Sequence, residues 1–139
     1  MNDKQFKHTA RSVSDLKAHL VLTTKYRRKV INPNMLKRLS EIIKEQCEKW
    51  GCDYIEFNGE SDHIHLLFRY YPQLQLSKFV NSLKSVSSRL IRKEFDGQLP
   101  VSYGRRHVFW NKSYFIASCG GVTVEVLKKY VQQQGKEKS

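Results

Sequence analysis

His63 and His65, with only Ile64 between them, are residues whose type and spacing suggest chemistry in this chain. In an extended strand, residues two apart project from the same face. The two imidazoles therefore stand side by side, while Ile64, Leu66 and Phe68 turn the other way. Neutral imidazoles are good ligands for a divalent metal, and two of them make half of a metal site. The same spacing is also common on half-exposed strands that bind nothing, so the pair needs a second group. Tyr130 and Gln134 lie four residues apart, beside Val124, Leu127 and Val131, which recur at helical spacing. On a helix, residues four apart sit one turn from each other, so a phenol oxygen and an amide oxygen can approach one point. A tyrosine beside an apolar stripe is usually a packing residue. With a His-x-His strand in a strongly basic chain, a shared site is the reading that uses all of these groups.

The elements that must position these groups are legible from periodicity. Leu16 to Thr24 alternates Leu16, Ala18, Leu20 and Leu22 against Lys17, His19, Val21 and Thr23, which predicts a strand. Asn32 and Pro33 supply a helix cap and a first-turn proline. Met35, Leu36, Leu39, Ile42, Ile43, Gln46 and Trp50 follow at helical spacing until Gly51. Cys52 to Phe57 and His63 to Tyr70 read as two strands, with Asn58-Gly59 as the expected turn between them. Ser77 is the expected cap of a second helix that carries Phe79, Val80, Leu83, Val86 and Leu90 on one side. Its other side holds Lys78, Lys84, Ser85, Ser88, Arg89 and Arg92. A looser stretch with Gly97, Pro100 and Gly104 precedes a fourth strand, Ser113 to Ser118. Gly120-Gly121 then break the chain before a last helix capped by Thr123. The order strand, helix, strand, strand, helix, strand, helix predicts an α+β, ferredoxin-like βαββαβ domain with an added C-terminal helix. Helices would cover one face of an antiparallel sheet and leave the other for function. His19 would share the face of His63 and His65 if the first and third strands are neighbours. Asp62, by continued strand alternation, is expected to point away from the pair.

Length and composition bound the rest. With 139 residues the chain is expected to form one domain, with short polar ends at 1–15 and 135–139. It carries 25 Lys and Arg against 13 Asp and Glu, a formal net charge of +12 distributed along the chain. Such a field on a small body favours a polyanionic partner, of which nucleic acid is the commonest. Cys47, Cys52 and Cys119 show no metal-ligand spacing and read as reduced thiols. No signal-like or membrane-length apolar run occurs, so a cytoplasmic protein with no membrane partner is expected.

Five stretches together resemble one known family. They are His19-Leu20-Val21 with Lys25-Tyr26-Arg27-Arg28; Asp62-His63-Ile64-His65-Leu66-Leu67; Ser87 to Phe95; Phe109-Trp110-Asn111-Lys112-Ser113-Tyr114-Phe115; and Lys129-Tyr130 with Gln134. In this order, from about Leu16 to Gln134, the chain resembles the single-tyrosine HUH transposases of the IS200/IS605 insertion sequences. Ser61 stands where many relatives have proline. The resemblance implies that His63, His65 and Gln134 hold Mg²⁺ or Mn²⁺. It also implies that Tyr130 attacks a DNA phosphate to leave a 5′-phosphotyrosine and a free 3′-OH, which later rejoin without ATP. It further implies recognition of subterminal hairpins in single-stranded DNA, and a homodimer in which the tyrosine helix acts in trans.

Lys25, Arg27, Arg28, Lys84, Arg89, Arg92, Arg105 and Arg106 are the candidate phosphate contacts, and Tyr26, Tyr103, Phe109 and Trp110 the candidate stacking residues. Of these, Phe109 and Trp110 fit a core better. Two alternatives stay open at the level of sequence. One is a ferredoxin-like module that binds nucleic acid without chemistry, and the other a domesticated relative that processes chromosomal repeats.

Overall fold

A computed structural model describes residues 15–119 of the chain. Two interior strands organise it. Strand β1 (Leu16–Thr23) pairs antiparallel with β3 (His63–Tyr70), in a register that sets Leu20 against Leu66 and Val21 against His65. Strand β2 (Asp53–Glu60) flanks β3 and β4 (Phe115–Ser118) flanks β1, giving the order β2-β3-β1-β4. This is the ferredoxin-like α+β arrangement expected from the element order.

Pleating sorts the side chains. Ala18, Leu20 and Leu22 of β1 join Ile64, Leu66 and Phe68 of β3 in the main apolar core. Helices α1 (Pro33–Lys49) and α2 (Leu76–Glu94) close over that face and pack on each other. The start of α1 follows its sequence signal, because the Asn32 side chain accepts the Met35 amide at 2.8 Å and Pro33 opens the first turn. Gly51, at φ 75, takes the left-handed conformation just past the helix end. Helix α2 begins earlier than expected, with Gln75 as its cap and Ser77 inside its first turn. The Phe68 and Phe79 rings meet with centroids 5.1 Å apart, and both residues are fully buried. Burying such a side chain contributes about 1.5–3 kcal/mol.

The β2–β3 connection differs from expectation. Asn58 and Gly59 lie inside β2, opposite His65 and Ile64, and the turn is made by Ser61 and Asp62. Gly59 serves close packing instead of a turn. A Cβ there would lie 2.9 Å from the His63 carbonyl oxygen, 2.9 Å from Leu36 Cδ1 and 3.0 Å from Ile64 Cγ2. The stretch after α2 also holds a short helix, α3 (Val101–Arg106), that periodicity does not reveal. Strand β4 starts at Phe115, two residues later than expected. Among the described residues, no helix is long and apolar enough to cross a membrane.

Candidate functional site

The sheet face opposite the helices carries His63 and His65 on β3 and His19 on β1, all three buried. Because β1 and β3 are neighbours, the condition set for His19 is met. The His63 and His65 ring centroids lie 4.8 Å apart with planes at 87°, and His19 stacks on His65 at 5.3 Å and 15°. Phe115 of β4 meets the His19 ring edge-on at 5.9 Å.

Each paired histidine has one nitrogen engaged. His63 Nδ1 lies 2.7 Å from Asp62 Oδ1, and His65 Nδ1 lies 3.1 Å from His19 Nε2. A carboxylate can only accept from an imidazole, so Nδ1–H of neutral His63 donates to Asp62 and the lone pair falls on Nε2. That Nε2 atom is buried and has no hydrogen-bond partner. A buried ring nitrogen with a directed lone pair is what a metal ligand looks like, and a carboxylate on its other nitrogen is the usual orienting partner. Burial lowers the pKa of His19 and so favours its neutral form. Neutral His19 accepts through Nε2 when its own proton sits on Nδ1, and then His65 Nδ1–H donates and directs ligation to His65 Nε2.

Asp62 therefore does not point away from the pair. Alternation along β3 does not extend into the turn, where Asp62 bends back to its neighbour. Burial by itself would raise its carboxyl pKa, but hydrogen bonds from His63 and Arg27 prevail and hold it below the ordinary carboxylate value. Arg27 Nη2 reaches Asp62 Oδ2 at 3.3 Å.

The donor set is incomplete within this region. Among the described residues, no cluster of three or more His, Cys, Asp or Glu side chains could hold a metal. His63 and His65 fit as two ligands of a divalent ion, and a third would have to come from elsewhere. Tyr130 and Gln134, with the Gly120-Gly121 break and last helix expected from sequence, lie outside the described residues.

Beside the histidines, a single 3-10 turn, Lys25–Arg27, follows β1. Tyr26 and Arg27 have φ of 60 and 52, left-handed values that cost a non-glycine residue about 1–3 kcal/mol. The surroundings hold the turn in place. Lys25 N donates to Phe109 O at 2.9 Å, Arg27 N to Thr24 O at 2.9 Å, and the buried Tyr103 hydroxyl to Lys25 O. Tyr26 N donates to Asn111 Oδ1 at 3.3 Å, and the same side chain donates to Thr23 Oγ1 at 2.7 Å.

The predicted basic residues partly converge here. Lys25 Nζ lies 5.3 Å and Arg28 Cζ 5.8 Å from the Tyr26 ring centroid, and Arg106 Nη1 donates to the Tyr26 hydroxyl at 2.7 Å. Lys84 donates to the Lys112 carbonyl at 2.8 Å, and burial with repulsion from Lys25 lowers its pKa. Arg92 contacts Ser88 Oγ and His107 Nδ1. Arg89 and Arg105 make no described contact with this cluster.

Three aromatic candidates belong to the core. Tyr103 and Phe109 are fully buried and Trp110 nearly so, which removes them as stacking surfaces and leaves Tyr26, 52% exposed. Ser88 is buried as well, not displayed on the basic side of α2. Its neighbour Ser87 donates to Leu83 O and accepts the Trp110 indole N–H at 2.9 Å. Cys47 and Cys52 are buried and Cys119 is half-buried.

Comparison with known proteins bears on the family and the fold. The family described as "Transposase IS200 like" matches residues 12–134. The transposase for insertion sequence element IS200 of Salmonella typhimurium is 29% identical over 136 residues, covering 98% of this chain and 86% of the relative. The ISDra2 transposase TnpA of Deinococcus radiodurans is 29% identical over 122 residues, covering 88% and 86%. The crystal structure of a candidate transposase from Deinococcus radiodurans superposes with a TM-score of 0.69 at 27% identity, covering 86% of this chain and 91% of that one. A REP-associated tyrosine transposase bound to a REP hairpin shares the fold, with a TM-score of 0.60 at 9% identity over 85% of this chain and 63% of the other.

Proposed function

Since the chain belongs to the family of IS200-like transposases, we propose that it cuts and rejoins single-stranded DNA through a covalent tyrosine link, with Tyr130 as nucleophile. The observation that carries this reading is the buried, unpartnered Nε2 of His63, oriented by Asp62 beside a His65 that His19 engages.

His63, His65 and Gln134 are the proposed ligands of Mg²⁺ or Mn²⁺. When bound, the ion polarises the scissile phosphate and stabilises the charge that builds on its oxygens. The protein's own part is positional. Asp62 and His19 fix the tautomers of the two ligands, and the pleat holds both rings on one face. A phenol with an ordinary pKa of about 10 is a poor nucleophile at neutral pH, so Tyr130 must be activated at the site. Its attack on phosphorus forms the phosphotyrosine bond as the phosphodiester breaks, releasing a 3′-OH. A 3′-OH then attacks the same phosphorus and frees the tyrosine. No water enters, and the number of phosphoester bonds is conserved.

Subterminal hairpins in single-stranded DNA are the proposed substrate. The REP hairpin bound by a fold relative supports this, as does the positive field of the chain. A homodimer with the tyrosine helix working in trans is the proposed assembly.

Labelled single-stranded DNA containing the element's end and hairpin tests the chemistry. A covalent protein–DNA band is expected with Mg²⁺ or Mn²⁺, and it should vanish after chelation and in Tyr130→Phe. A band that survives either treatment would overturn the mechanism. Binding without a covalent product on that substrate would favour a module that only holds nucleic acid.

A further inference from the structure

The Lys25–Arg27 turn combines features that packing does not explain. Tyr26 holds a left-handed backbone at φ 60, yet its ring is 52% exposed and so recovers little of that cost through burial. A residue needed only to reverse the chain would be glycine or asparagine, which adopt this conformation at little cost. Lys25 Nζ and Arg28 Cζ lie over the ring and Arg106 bonds its hydroxyl, and none of the three has a carboxylate partner among the described residues; a stacking base would take the place of the cations on the ring face and leave them to its phosphates. Asp62, whose carboxylate meets the same turn, is taken by Arg27 and His63. Lys84 feels the same uncompensated charge through Lys25. An exposed aromatic ring attended by unneutralised cations on flexible side chains is a surface for a flat, apolar group joined to anions.

An unpaired nucleotide has that chemistry, with a π-face for the ring and phosphates for the rim. We infer that Tyr26 is a stacking platform for an unpaired base of single-stranded DNA, with Lys25, Arg28 and Arg106 holding the phosphates that flank it. The inference rests on the single-strand reading above and gives that substrate a specific seat. The Arg106 hydrogen bond to the phenol hydroxyl sets the ring's orientation. The next residue of the turn, Arg27, reaches Asp62, which in turn orients His63. The turn that would seat the nucleotide therefore also braces His63.

Binding of a short single-stranded oligonucleotide containing 2-aminopurine, read by fluorescence, tests this in the full chain. Stacking on Tyr26 is expected to quench the probe in the wild-type protein and in Tyr26→Phe, which keeps the ring. Tyr26→Asn suits the left-handed backbone and removes the ring. It should abolish the quenching and weaken binding about tenfold, with the salt dependence unchanged. Arg106→Gln should instead flatten the slope of log affinity against log salt by about 0.7, the contribution of one phosphate contact to a single strand. Circular dichroism of each variant verifies the fold. Quenching and affinity in folded Tyr26→Asn equal to wild type would overturn the platform. If that variant also formed the covalent DNA band, only the platform would fall. If the wild-type chain formed no band, the reading of the reaction would fall on separate grounds.

Discussion

At the scale of single residues, the site depends on groups that would never touch a substrate. Asp62 contributes one oxygen to His63 and the other to Arg27, so truncating it frees the His63 ring and removes its tautomer preference. Asp62→Ala is expected to weaken Mn²⁺ binding about 10–100-fold with little change in fold, since the Asp62 backbone carbonyl still accepts the Thr24 amide. Titration of Mn²⁺ by electron paramagnetic resonance checks this. Affinity equal to wild type would mean that packing alone orients His63. The shared face of His63 and His65 was legible because a His-x-His spacing on a strand leaves one geometric outcome. The role of Asp62 was not, because the alternation that orders β3 ends where the turn begins, and a turn side chain answers to local hydrogen bonding.

At the scale of elements, what could be read followed periodicity, and what was missed had none. The N-terminus of α1 was legible in Asn32 and Pro33, and both interior strands in their alternation. Helix α3 buries Tyr103 as its one fully enclosed side chain, too little to set a period. Asn58-Gly59 carries the usual composition of a turn, yet the glycine answers to the crowding of Leu36 and Ile64 around it. Gly59→Ala is therefore expected to destabilise the fold by about 1–3 kcal/mol, measured by urea denaturation, because a Cβ at 2.9 Å from the His63 carbonyl has no flexible partner to displace. A neutral result would show that β2 can move away from β3 at little cost. Ser88, expected at the surface, is buried because α2 is covered along a wider arc than its apolar stripe suggests, with Trp110 packed against it through Ser87.

At the scale of the whole molecule, a net charge of +12 should govern how DNA arrives. Binding of single-stranded DNA is expected to weaken linearly in log–log form with salt, with a slope of about −0.7 for each phosphate engaged. A titration over a range of NaCl concentrations measures it, and a flat line would exclude the basic rim as the docking surface. The fold divides the labour. The histidines stand on strands paired along both sides, whereas the cations and Tyr26 stand on turns and helix ends at the margin.

The placement of His19, His63 and His65 on β1 and β3, the two strands with neighbours on each flank, bears on how such a chain can change over generations. Pleating admits only even steps, so one inserted or deleted codon within either strand would turn the imidazoles into the core and end the chemistry proposed for them. The margin obeys no such arithmetic. Lineages can exchange, lengthen or recharge the turns proposed to meet DNA and so acquire new targets, while the reading frame of the two central strands passes on unaltered.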